Sequence, residues 1–304
     1  FTDFVNKTEI NHSRHIISEL LELIINSDKT GMSVSEIEGD AVLFFKDEVP
    51  PVSDLIEQCR FTFDNFHKHL NRYDTERICR CGACESASQL SLKFIIHKGD
   101  VKKINIKDHE KLHGSDVILV HRFLKNPIPD NEYILISDQF EIDPKTIKLG
   151  EKEGFIIKKG KTDYDNIGSI DYSYIPINDL FIKPTEPSII SFPGLSPDKI
   201  IIEKTIHAPV DLIYDNFTNF DKRMEWNEEI KEIILHGKSL NKTGSLHTCL
   251  VGPYSLDIES IGRMEDKEKI VYGERLNKFK GLRDIISIYT FEKYKDQTHV
   301  RVEV

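Results

Sequence analysis

Cys79, Cys81 and Cys84 stand in one short run, Cys79-Arg80-Cys81-Gly82-Ala83-Cys84. Thiolates this close can hold zinc or another soft metal ion, and tetrahedral zinc requires a fourth donor. By residue type and position the candidates are Cys59, His67, His69 and His97. The alternative reading is a redox-sensitive or merely Cys-rich turn. Cys249 brings the cysteine count to five. An odd count with three packed together does not resemble a secreted disulfide framework, so reduced thiols in a cytoplasmic protein are expected.

The 304 residues carry a net charge of −10 and no dense Lys/Arg block. That argues against a nucleic-acid partner, because a phosphate backbone requires a basic footprint. A magnesium-bound nucleotide remains compatible, since the metal cancels charge locally. No apolar run reaches the ~18–20 residues of a membrane-spanning helix. The greasiest stretch, Ile16 to Ile25, is interrupted by Ser18, Glu19 and Glu22. The chain opens at Phe1 without Met or a signal-peptide pattern. It stops inside an alternating run (Thr298, Val300, Val302, Val304), so both ends are expected to be cut.

The elements that must position these groups follow from periodicity. Ile16, Ile17, Leu20, Leu21, Ile24 and Ile25 make one helical stripe. Ser33–Ile37 and Ala41–Phe45 predict a hairpin about Gly39-Asp40. A second helix opens after Pro50-Pro51, with Leu55, Ile56, Cys59, Phe63, Phe66 and Leu70 inward. Residues 71–89 read as a polar, Cys-containing insertion. Leu90–Ile96 is a strand with Val101–Ile106 as its antiparallel return. A third helix follows over Gly114–Lys125, then a strand at Tyr133–Ser137 and two strands around Asp163–Gly168. The alternation suggests an α+β sheet covered by helices on one side. Pro and Gly punctuation places a linker at 183–197. Beyond it the pattern is one strand, two short helices and about six antiparallel strands.

The first part, residues 1–182, resembles the catalytic domain of class III nucleotidyl cyclases. Phe1-Thr2 matches the end of that family's opening motif, and Gly39-Asp40 follows after 36 intervening residues. Ile96-His97-Lys98-Gly99 matches a later strand motif, and Gly114 to Arg122 matches the frame of a helix motif. The resemblance implies a ferredoxin-like α/β sandwich and a head-to-tail homodimer. It implies attack of a ribose 3′-hydroxyl on an α-phosphorus, assisted by two Mg or Mn ions. Asp40 would be one metal ligand. The other would precede Phe1, with Asp3 as the alternative. Glu36, four residues before Asp40, would read the guanine edge of a purine nucleotide, since a carboxylate accepts from N1–H and N2–H₂. Lys111 falls at the second base-selecting position, where the family has Asp or Cys. Arg122 would stabilise phosphate charge in the transition state. The family's Asn, one turn before that Arg, is here Ile118, which can neither donate nor accept. Weak or absent turnover is therefore expected, an active purine nucleotide cyclase being the alternative.

Residues 198–304 resemble a START-like (SRPBCC) domain, a helix-grip fold. Ala208-Pro209 opens the first of two helices, and Trp226, expected as core packing, stands before the next strand. The resemblance implies a cavity for a hydrophobic small molecule. The closing helix of that fold is missing from this chain. A non-enzymatic lipid- or partner-binding protein is the remaining alternative.

Overall fold

The computed structural model describes residues 2–8, 10–107, 109–142, 156–178, 192–194, 198–236, 240–279 and 282–304. Phe1, the side chain of Asp3 and the expected linker, apart from 192–194, lie outside the described residues. The elements run α1 (Thr2–Lys7), α2 (Ile10–Asn26), β1 (Ser33–Glu38), β2 (Ala41–Phe45), α3 (Val52–Glu76) and α4 (Gly82–Ser86). Next come β3 (Phe94–Ile96), β4 (Lys102–Ile106), β5 (His109–His113), α5 (Ser115–Phe123), β6 (Tyr133–Ser137), β7 (Lys158–Tyr164) and β8 (Gly168–Pro176). The last group is β9 (Ile201–Ile206), α6 (Val210–Thr218), α7 (Phe220–Trp226), β10 (Ile230–His236) and β11 (Leu246–Val251). It closes with β12 (Tyr254–Glu265), β13 (Lys269–Phe279), β14 (Leu282–Tyr294) and β15 (Gln297–Glu303). The class is mixed α+β with several sheets.

The chain packs as two compact units. One comprises Ile17–Leu70 and Gln89–Lys183, and the other Thr2–Ile16, Asn71–Ser88 and Pro184–Val304. Residues 71–88, expected as an insertion of the first domain, thus belong with the C-terminal part. Two physical reasons account for this. No helix breaker separates Leu70 from Glu76, so α3 runs on through the expected start of the insertion and its last turns, from Asn71, belong to the second unit. Ile78, just past it, is fully buried in the second unit's core.

In the first unit the sheet order is β3-β6-β8-β7, with β3 and β6 parallel and the other pairs antiparallel. Helices cover both faces, not one. Ile134 and Ile136 of β6 pack with Leu55, Ile56, Cys59 and Phe63 of α3. Tyr133 and Leu135 pack with Leu119 and Phe123 of α5. Every residue of β6 is buried, which fits its unbroken apolar run rather than an alternating one. The hairpin β1–β2 turns at Gly39, whose φ of 58° suits glycine. β4 is not the return of β3. It pairs with β5, after a turn in which Lys107 takes a φ of 53°.

In the second unit seven antiparallel strands form a curled sheet, ordered β10-β11-β12-β13-β14-β15-β9. The first strand closes against the last. The expected sequence of one strand, two helices and six strands is what is found. Helices α6 and α7 lie on one face, where Tyr214 and Phe217 meet Tyr272, Tyr289 and Phe291 edge-on or tilted. Asn219 caps α7, its Oδ1 accepting from the N–H groups of Asp221 (3.1 Å) and Lys222 (3.4 Å). Trp226 is not core: it is 45% exposed, lies against Phe217, and donates Nε1–H to the Asn216 carbonyl at 2.8 Å.

Candidate metal centre

The three clustered cysteines converge, and their fourth partner is His12. The His12 Nδ1 lies 3.0 Å from Cys81 Sγ, 3.5 Å from Cys79 Sγ and 3.8 Å from Cys84 Sγ. All four ligand atoms fall within 4.8 Å of one another. Donors bound tetrahedrally to one zinc at ~2.0–2.3 Å stand about 3.5 Å apart, so this set is the right size for a single ion. Cys79 and Cys84 are buried, while Cys81 and His12 are half-buried.

Local backbone geometry gathers the sulfurs. The chain turns so that the N–H of Cys81 donates to Cys79 Sγ and the N–H of Cys84 donates to Cys81 Sγ, each at 3.4 Å. Cys81 is thereby the N-cap of α4, which packs against α1. Hydrogen bonds from Cys81 and Cys84 hold the Cys79 thiol well below its ordinary pKa, while Cys84 is pushed up by sharing its proton with the other two. Thiols that compete for one negative charge in this way are suited to a cation.

The other candidate donors are engaged elsewhere. His67 Nε2 is 2.7 Å from Glu132 Oε1, and His69 Nε2 is 3.1 Å from Glu19 Oε2. His97 bridges Ser137 Oγ and Asp116 Oδ1, at 2.9 Å each. Cys59 is buried in the first unit's core, and burial pushes its thiol pKa up. Sequence reasoning missed His12 because it lies 67 residues before Cys79, in a helix with no local metal-binding signature.

Among the groups assigned to nucleotide chemistry, Glu36 and Lys111 meet. Glu36 Oε2 is 3.3 Å from Lys111 Nζ, and Glu36 Oε1 is 3.0 Å from His121 Nε2. Glu38 approaches the other nitrogen of His121 at 3.5 Å. Asp40 sits exposed in the β1–β2 turn. Arg122 is exposed on α5, as is Ile118 one turn earlier, at 54%. Neither Asp40 nor Arg122 is hydrogen-bonded or ion-paired to the Glu36–Lys111 pair.

A buried polar network in the second unit also escaped sequence reading. Arg223 of α7 pairs with Glu274 of β13 at 2.7 Å, both buried. Tyr272 Oη donates to Glu274 at 2.7 Å and Tyr289 Oη at 3.3 Å. Nearby on the sheet, His247 is fully buried, and neither ring nitrogen has a hydrogen-bond partner.

Comparison with known proteins places the chain among relatives of unknown activity. Residues 17–133 match a family described as "Protein of unknown function (DUF2652)". The uncharacterized protein Rv2561/Rv2562 of Mycobacterium tuberculosis is 32% identical over 184 residues, covering 59% of this chain and 81% of that one. The chain belongs to the same family as this mycobacterial protein. Among solved structures, hypothetical protein jhp0584 from Helicobacter pylori is similar over 36% of this chain and 70% of its own. The TM-score there is 0.30 and the identity 8%. Protein MLL2253 from Mesorhizobium loti is similar over 34% and 74%, with a TM-score of 0.26 and 19% identity. Likenesses this slight decide nothing about the site.

Proposed function

We propose that this chain is a binding protein of the signalling kind. Its first unit is a divergent nucleotidyl cyclase-like domain that takes a purine nucleotide with Mg or Mn and turns it over weakly or not at all. Its second unit is a helix-grip domain for a hydrophobic small molecule, held together by one structural zinc.

The observation that carries the nucleotide reading is the Glu36–Lys111 contact at 3.3 Å. Two residues far apart in sequence, both at positions the resemblance assigns to the base, are side by side. Ile118 beside Arg122 supports low turnover, because an exposed aliphatic side chain cannot orient a ribose. Calorimetric titration of the full chain with GTP and manganese, alongside a cyclic-nucleotide assay, tests this. Binding that is weakened in Asp40→Ala and in Glu36→Ala, with little cyclic product, is expected. No heat with GTP or ATP overturns the nucleotide reading. Rapid cyclisation abolished by Asp40→Ala overturns the low-turnover part. Sedimentation of the same samples tests the homodimer that the resemblance implies.

The zinc reading rests on the four-donor cluster. Three thiolates and one imidazole suit borderline-soft zinc, and four protein donors leave no open position for a reacting water, which makes the centre structural. Elemental analysis of the purified chain is expected to find one zinc per molecule. Cobalt substitution should give tetrahedral ligand-field bands. A metal-free chain that refuses both ions overturns it.

A further inference from the structure

Ile78 is a foreign residue in the core of the seven-stranded sheet. It comes from the stretch between α3 and α4, yet it is fully buried against Tyr214, Ile270, Tyr272, Phe291 and Val300. Its backbone is bound as firmly as its side chain. Its N–H donates to the Asn241 carbonyl at 3.2 Å, and its own carbonyl accepts from Tyr214 Oη at 2.7 Å. On either side, the Thr243 N–H donates to the Glu76 carbonyl at 2.9 Å, and Arg80 pairs with Asp211 and with Glu265. The next residue, Cys79, belongs to the metal cluster. A strip of six residues, 76–81, is thus latched onto the helix-covered face of the sheet by one apolar side chain, a few polar contacts and the metal centre.

We propose that this strip is a metal-locked plug over an apolar binding site. With zinc bound, Ile78 fills the recess between Tyr214, Tyr272 and Phe291. With zinc lost, the strip lifts and the recess accepts an apolar chain carrying a carboxylate. The proposal rests on the zinc and helix-grip readings above.

The chemistry of the recess selects the ligand. When the Ile78 carbonyl leaves, the Tyr214 hydroxyl remains buried without an acceptor, which is unfavourable. A pure hydrocarbon cannot recover that loss, whereas a carboxylate oxygen can. The surroundings favour an anion as well. Arg263, which stays on the sheet when the strip leaves, lies close enough to Tyr214 to act on its hydroxyl electrostatically, more strongly than the opposing Glu265. Arg263 Nη1 is a buried N–H donor without a hydrogen-bond partner, placed to receive the carboxylate. Loss of the metal supplies the opening: it frees Cys79 and Cys81 of the strip from Cys84 and His12 and leaves only the contacts named above to hold the strip down.

The test uses the full chain under reducing conditions, once zinc-loaded and once stripped with a chelator. The probe is 11-(dansylamino)undecanoic acid, whose emission rises in an apolar site. The stripped chain is expected to bind it at least tenfold more tightly than the loaded chain, with an unchanged far-ultraviolet strand signal, and added zinc is expected to release it. Ile78→Ala should bind the probe even when zinc is present. Tyr214→Phe should lose the preference for the acid over its methyl ester. Equal probe affinity in loaded and stripped chains, or loss of the strand signal on stripping, overturns the plug. Absence of stoichiometric zinc instead defeats the zinc reading. In that case Ile78→Ala against wild type still decides whether Ile78 blocks a site, and equal binding by the two overturns it.

Discussion

The Asp116 carboxylate fills the space beside Gly99: a Cβ at Gly99 would fall 2.2 Å from Asp116 Cγ. The same carboxylate accepts from His97 Nε2 at 2.9 Å and from the Asp100 N–H at 3.1 Å. Ile96-His97-Lys98-Gly99 and Gly114-Ser115-Asp116 are therefore two halves of one latch. It ties the first turn of α5 to the end of β3 and so fixes where His121 and Arg122 stand. Gly99→Ala is expected to displace Asp116 and strip its hydrogen bonds, costing about 2 kcal/mol. Urea denaturation measures it, and an unchanged midpoint refutes the latch.

The latch explains why part of the fold was legible. His97 and Asp116 are 19 residues apart, on either side of the single hairpin β4–β5, so their motifs keep a near-fixed spacing in the sequence. So do the hairpin turn at Gly39 and the strand meander after Pro209, where local turn chemistry and period-2 alternation decide the structure. What stayed hidden is long-range. His12 reaches Cys81 across 69 residues, and Arg223 reaches from α7 to Glu274 on β13, without any local trace. Trp226 misled for the opposite reason: bulk alone suggested core, but its indole N–H found a partner at the surface.

Because His12 supplies the one imidazole of the centre, His12→Ala is expected to weaken zinc binding on the order of 100-fold, leaving three thiolates and an open position. Cys59→Ser, whose thiol packs in the first unit's core and is not one of the four clustered donors, should not change it. Competition with a chromogenic chelator reads both. Equal affinities in the two variants would remove His12 from the site.

Arg223 and Glu274 make a pair that matters more when half of it is missing. Arg223→Met leaves the Glu274 carboxylate buried with only tyrosine hydroxyls for company, at an expected cost of about 3–5 kcal/mol. Adding Glu274→Gln removes the stranded charge while keeping a carbonyl for Tyr272 and Tyr289. The double variant should recover most of the loss in thermal or urea denaturation. If it is no more stable than Arg223→Met, the charge was not the source of the cost.

His247 gives the second unit an acid-sensitive core. Burial pushes its pKa down to about 4 from an ordinary 6.5; Glu274 pulls the other way, and the positive charges of Arg223 and His236 add smaller downward pushes. The unfolded chain therefore takes up a proton from about pH 6.5 downward, while the folded chain resists until about 4. Stability carried by the neutral imidazole is complete above pH 6.5 and drains away as pH falls through that window, amounting to about 3 kcal/mol by its end. Replacing the ring by another flat one, His247→Phe, keeps the contact with the Phe220 ring, whose centroid is 4.4 Å away, and removes the titration. It also removes two buried nitrogens that have no partner, so the variant should be no less stable than wild type at pH 7.5. Urea midpoints at pH 7.5, 6 and 4.5 then separate the two chains. Protons taken up by the metal centre and by the other histidines are common to both, so the difference between the slopes belongs to His247. Parallel slopes would mean that this imidazole takes up its proton in the folded core as readily as in the unfolded chain.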